Sequence, residues 1–175
     1  NWASAWWKAT RLVDDIFGVP IEAESDIVIA TAGGYPRDIN LYQSQKTIDN
    51  AWHAMKPNGA AIILAECPDI QEPKEFFDWF DHTDRLEMEK ALRANYALAG
   101  WLAFHQFEYR DKGLIILVTR EENFRHAEKA QLHPVATMED ALRAAYAHCR
   151  AATPTITVLP QGANTLPLIK RRRIV

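Results

Sequence analysis

Four short strand-like runs, separated by helical stretches, limit the folds open to this chain more than any other feature. They are Asp26-Ile-Val-Ile-Ala-Thr31, Ala60 to Glu66, Gly113 to Thr119 and Thr155 to Leu159. The first is β-branched and ends at Gly33-Gly34, so it reads as a buried strand that runs into a tight loop. Strands separated by helices pair in parallel through right-handed crossovers. The expected fold is α/β: a doubly wound, mainly parallel Rossmann-like sheet of four strands or slightly more, with helices on both faces.

The intervening segments supply the helices. Residues 2–17 place Trp2, Ala5, Trp6, Ala9, Leu12, Val13, Ile16 and Phe17 at helical spacing, and Gly18 and Pro20 end that stretch. A second helix is expected over about residues 39–56, with Leu41, Ile48, Ala51, Trp52 and Met55 as its core stripe. Pro57-Asn58-Gly59 is a turn signal before the second strand. Residues 75–80 form a short amphipathic piece, and 84–109 read as two helices that bend near Gly100. Helices over 122–131 and 138–149 follow, the latter opened by Thr137 as N-cap with Asp140 three residues on. With no repeat, low-complexity tract or linker, residues 1–175 read as a single domain. The chain opens at Asn1 and enters a helical pattern at once, which leads us to expect a piece of a longer protein.

Composition excludes several classes. At 175 residues the chain suits one domain that buries roughly 70% of its unfolded surface. A formal net charge of -3 argues against a dedicated nucleic-acid binder. No apolar run nears the ~20 residues that a membrane-spanning helix needs. Two cysteines, Cys67 and Cys149, make no disulfide framework, so a reduced, cytoplasmic setting is expected.

In an open parallel sheet, ligands bind beyond the carboxyl ends of the strands. The first strand delivers the loop Thr31–Asp38 there, where Gly33 and Gly34 let backbone N–H groups approach an anion or simply make a sharp turn. On the following helix, Gln43, Lys46 and Asn50 share one face, with Tyr42 beside Lys46. An ammonium there suits a carboxylate or phosphate, with Gln43 and Tyr42 as directional partners; the competing reading is a solvated face. The six histidines show no ligand spacing, so no metal site is expected within this chain. Cys67 reads as a small buried residue, and Trp101 with His105 as a packed pair or a pocket wall. Lys170-Arg171-Arg172-Arg173 reads as a solvated tail, or as a phosphate grip in a longer context. Most of the six tryptophans are expected in the core, with Trp6-Trp7 the pair most suited to an interdomain surface.

The stretch from Asp26 to Lys46, with its Gly-Gly-Tyr-Pro-Arg-Asp-Ile-Asn-Leu-Tyr-Gln-Ser-Gln-Lys core, resembles the C-terminal domain of the nickel-pincer lactate racemase family. Asp49-Asn50-Ala51, Lys56-Pro57-Asn58-Gly59, Ala65-Glu66-Cys67-Pro68 and Val158 to Pro167 follow in matching order, so the resemblance covers essentially the whole chain. It implies a two-domain isomerase that racemises or epimerises a 2-hydroxy acid by hydride transfer to a nickel-pincer nucleotide. The N-terminal domain of that family holds the cofactor and the catalytic histidines, and none of those motifs occurs here. This chain alone is therefore expected to be inactive and to hold no cofactor itself, with its own N-terminal domain as partner. By motif match Lys46 and Gln43 take catalytic roles, while Tyr42, Gly33, Gly34 and, on a looser match, Trp101 bind substrate or cofactor. Two other readings stay open. Met55 to Leu64 is similar to the turn and strand of S-adenosylmethionine-dependent methyltransferases, and the Lys46 face also suits a non-catalytic module that binds a small anion.

Overall fold

In the computed structural model, which describes residues 1–169, the alternation of strand and helix becomes a five-stranded, wholly parallel sheet. The elements run α1 (Trp2–Phe17), β1 (Gly18–Ile21), β2 (Ser25–Thr31), α2 (Leu41–Ala54), β3 (Met55–Leu64), α3 (Lys74–Phe77), α4 (Arg85–Ala94) and α5 (Leu98–Lys112). Then come β4 (Leu114–Val118), α6 (Phe124–Lys129), β5 (His133–Val135), α7 (Met138–Cys149), β6 (Ile156–Leu159) and β7 (Leu166–Ile169). The sheet order is β5-β4-β3-β2-β6, and β1 pairs with β7 in a separate parallel ribbon. The doubly wound α/β expectation holds, with β5 as the fifth strand. The basic tail Lys170-Arg171-Arg172-Arg173 lies outside the described residues.

Both faces of β2 and β3 are covered, which is why these strands carry uninterrupted aliphatic runs. Val28, Ala30, Ala61 and Ile63 pack beneath α2, α3 and α5. Ile27, Ala60, Ile62 and Ile116 pack on the other side beneath α7, against Ala141 and Ala145. Fully burying an aliphatic side chain of this size contributes about 1.5–3 kcal/mol. Caps fix where the helices begin: the Asn40 side chain accepts from Gln43 N at 2.9 Å to open α2, and Thr137 Oγ1 accepts from Asp140 N at 3.1 Å to open α7.

Three expectations need correction. Met55 belongs to β3 and not to the preceding helix, although it is fully buried as expected. Pro57-Asn58-Gly59 makes no free turn: it is an irregular insertion within β3, where pairing slips from Ser25↔Met55 to Ile27↔Ala60 and Asn58 takes φ 61°. The break between α4 and α5 falls at residues 95–97, not at Gly100. Gly100 instead lets α5 approach the Trp79 ring, since a Cβ there would lie 2.3 Å from it.

The tryptophans also depart from expectation. Trp2, Trp6, Trp7 and Trp101 are exposed, and Trp52 and Trp79 are half-buried. Helix α1 buries none of its residues, so its apolar stripe is formed as the spacing implies and left open among the described residues.

An ionic clasp closes the edge of the sheet opposite the carboxyl ends of the strands. The Asp26 carboxylate accepts from Lys56 Nζ at 3.0 Å, from Thr155 N at 2.8 Å and from Thr155 Oγ1 at 2.6 Å, tying β2 to β3 and to the approach to β6. The Thr155 donors, with Lys56 beside them, lower the Asp26 pKa to about 2. A carboxyl depressed in the folded state contributes fully above its unfolded value of about 4, and its contribution is lost as pH falls through about 2. Asp26→Asn should therefore destabilise the fold by on the order of 1 kcal/mol at pH 7. The difference from the parent should vanish towards pH 2, as followed by chemical unfolding at a series of pH values.

Candidate functional site

The β2 carboxyl end opens into the expected glycine loop. Gly33 and Gly34 have φ of 92° and 74°, a left-handed pair that glycine adopts at little cost. Gly33 N donates to Thr31 Oγ1 at 2.9 Å, and Arg37 N donates to the Gly34 carbonyl at 2.8 Å. Gly34 lines a cleft of about 650 Å³ over the ends of β2, β3 and β4, with Thr31, Asp38, Glu66, Thr119 and Arg120 around it. The Arg120 guanidinium is engaged by Glu66 and Glu122, which raise its pKa. Its charge is thus already compensated.

The helix face identified from spacing points elsewhere, towards α5. Tyr42, Gln43, Lys46 and Trp101 line one cavity of about 530 Å³, which Gly33 and Gly34 do not reach. Lys46 Nζ donates to Gln43 Oε1 at 3.0 Å, one turn apart on α2. Tyr42 packs edge-on against Phe76, with ring centroids 5.4 Å apart. Asn50 leaves the set, because its Nδ2 donates to the Gly162 carbonyl at 2.7 Å. The turn before β7 crosses α2 there, a contact that helical spacing alone cannot reveal.

Helix α5 supplies the facing wall through Trp101, His105 and Tyr109, spaced four residues apart. The Trp101 ring stands perpendicular to the His105 imidazole at 4.3 Å between centroids, and His105 Nδ1 lies 2.9 Å from Glu108 Oε2. Tyr109 donates its hydroxyl to Asp49 Oδ1 at 3.1 Å. Burial, together with the Asp49 charge, pushes the Tyr109 phenol far up, so it stays a neutral donor. Spacing singled out Trp101 and His105 alone; Tyr109, at i+8 of the same stripe, and Asp49, one turn beyond Lys46, were missed although the same periodicity reaches them. Gln45 was missed as well: its position on α2 faces inward, and it lines the cavity from within.

Cys67 is fully buried beneath this region, with φ 51° and its sulfur 3.6 Å from Ser44 Oγ. Burial pushes the thiol up to about 11, so it is a packing residue and not a nucleophile. In native protein at pH 8, iodoacetamide should leave Cys67 unmodified for as long as the fold persists. Peptide mapping should find it alkylated only after denaturation.

The fold and this cavity together define an α/β domain in which a cation-amide pair and an aromatic wall line one cavity. The chain belongs to the family of lactate racemase C-terminal domains, whose model matches residues 21–166. It is 30% identical over 164 residues to the lactate racemase of Thermoanaerobacterium thermosaccharolyticum, covering 91% of this chain and 38% of that protein. With the lactate racemase of Lactiplantibacillus plantarum it shares 28% identity over 171 residues, covering 88% of this chain and 37% of that one. The structure of the Thermoanaerobacterium thermosaccharolyticum lactate racemase apoprotein superposes with a TM-score of 0.81 at 30% identity, over 94% of this chain and 40% of that one. A Thermotoga maritima protein, at TM-score 0.58 and 14% identity over 96% of this chain and 42% of its own, shares the fold. The chain thus spans less than two fifths of the length of these curated relatives.

Proposed function

We propose that this chain is the substrate-orienting, C-terminal domain of a cytoplasmic isomerase that racemises or epimerises a 2-hydroxy acid opposite an N-terminal domain bearing a nickel-pincer nucleotide. The observation that carries this reading is the gathering of Tyr42, Gln43, Lys46 and Trp101 around one cavity, in a chain of the lactate racemase family. Among the described residues no group of three or more His, Cys, Asp or Glu side chains could hold a metal ion, so this reading assigns the nickel ligands to the other domain. No helix among them is long and apolar enough to cross a membrane.

The cofactor, when bound, supplies reversible hydride acceptance at the substrate's α-carbon. The residues of this chain bind and orient. The Lys46 ammonium clamps the substrate carboxylate or balances negative charge on the substrate oxygen. Gln43 Oε1 accepts from Lys46, which aims the ammonium and turns the Gln43 amide N–H groups to a second substrate oxygen as donors. Tyr42 is held by its contact with Phe76. Trp101 covers the ligand, and in a site closed to water a fixed cation stabilises developing charge more strongly than in solvent. Gly33 and Gly34 shape the loop between β2 and α2, which places the first turn of α2 and hence Tyr42 and Gln43.

Lys46 is exposed and, among the described residues, pairs only within its own helix, so its removal should spare the fold. In the full-length protein produced with the cofactor-building enzymes, Lys46→Ala should lower racemisation on the order of 10²-fold or more. Its unfolding midpoint should match the parent's. Parental turnover in that variant would remove Lys46 from the mechanism.

A further inference from the structure

We infer that Tyr109 is a positioning residue for Lys46: by holding the Asp49 carboxylate on its hydroxyl, it keeps Asp49 from pairing with Lys46 and leaves the ammonium to a ligand. This deepens the proposed function and rests on it for the use made of that charge. Lys46 and Asp49 stand three residues apart on α2 and line the same cavity. Residues at that spacing are neighbours on a helix surface, and opposite charges so placed attract one another as an ion pair. Among the described residues these two form none. Lys46 leans towards the start of the helix, with its Nζ 3.0 Å from Gln43 Oε1. Asp49 leans the other way. Its Oδ1 accepts from the Tyr109 hydroxyl at 3.1 Å, and its Oδ2 lies 3.8 Å from Nε2 of His53, one turn further on.

The stronger contact decides where Asp49 goes. Its side chain is 49% exposed, and a pair formed with the exposed, flexible Lys46 gains little against solvent and lost side-chain freedom. Tyr109 is 5% exposed, and its ring packs against two others, Trp52 and His105, each with centroids 6.0 Å away. Trp52 is itself held, with Lys112 Nζ 4.6 Å over its ring and donating to its carbonyl at 2.8 Å. A hydroxyl already fixed in place gives up little freedom on donating, and a hydrogen bond to an ionised carboxylate is stronger than one to a neutral acceptor. Removing the hydroxyl returns Asp49 to the reach of Lys46. An ammonium paired in that way must shed its own helix's carboxylate before it can take one from a ligand.

The test follows acylation of Lys46 by trace acetic anhydride at about pH 8 in the full-length protein, read by peptide mapping. The parent, Tyr109→Phe, Asp49→Asn and the double variant are compared. Only an unprotonated amine reacts, and a carboxylate partner holds an amine protonated, so pairing slows the reaction. Tyr109→Phe should slow Lys46 by about twofold or more, the size of an exposed ion pair on a helix. Asp49→Asn should not slow it, and in that background Tyr109→Phe should have no effect. Tyr109→Met carries the same comparison should Tyr109→Phe fail to fold. An unchanged rate in Tyr109→Phe would overturn the inference. A slowing that persists in the double variant would overturn it too, because a merely structural role for Tyr109 is not undone by removing the Asp49 charge. Lactate racemisation with Lys46 unmoved in Tyr109→Phe would overturn it and leave the proposed function standing. The expected pattern of rates in a protein that racemises no 2-hydroxy acid would support it and count against the proposed function alone.

Discussion

The side chains that α2 turns into the candidate cavity depend on how that helix is seated on β2 and β3. The contact is made of small side chains, Ala51 and Ala54 on the helix and Ala30 and Ala61 on the strands, all fully buried. Small residues on both surfaces let the helix lie close, and Leu41 and Ile48 anchor it along its length. Each residue of a helix turns the side-chain direction by about 100°, so the seat sets where every other position points. With Ala51 and Ile48 against the sheet, Tyr42, Gln43 and Lys46 are carried round towards α5. The Asn40 cap fixes where the helix begins, and with it the phase of the whole face.

Helix α5 has its own fixed seat. Ala103 and Phe107 enter the same core as α2, while Gly100 allows close contact with the Trp79 ring. Its other side presents Trp101 and His105. The cavity between α2 and α5 is thus defined by two helices that the sheet holds, and not by a loop. The strand-edge cleft differs in kind: its Arg120 is already paired with carboxylates, whereas Lys46, among the described residues, is held only by a neutral amide and carries no carboxylate partner. The Asp26 clasp lies at the far edge of the sheet, where it stiffens the core strands without touching either cavity.

Long aliphatic runs made the central strands legible, because burial on both faces demands them. The strands that escaped notice are three or four residues long and interrupted by Pro20, Pro134 and Pro167. They exist through pairing with distant partners, which local pattern does not encode. The same distinction separates Lys46 from Asn50. Spacing put both on one face, and a distant turn then claimed Asn50. Periodicity likewise drew the apolar stripe of α1 correctly but carried no information on what covers it: most tryptophans were expected inside, with Trp6-Trp7 set apart as the pair suited to a surface, and Trp2 lies outside along with that pair. Gln45 marks the other limit: an inward amide reads from sequence as a flank of the core, and only the packing of α2 against α5 brings it to the edge of the cavity.

The most direct test of the account is the fate of the α-hydrogen. Lactate of one hand, deuterated at C2, would be given to the cofactor-loaded full-length protein in ordinary water and both enantiomers analysed by chiral chromatography with mass detection. A domain that orients a 2-hydroxy acid for hydride transfer predicts inversion with the deuterium retained. Inversion with the label washed out to solvent would mean that a proton is exchanged instead, and absence of inversion with lactate and with a panel of other 2-hydroxy acids would contradict the racemase reading.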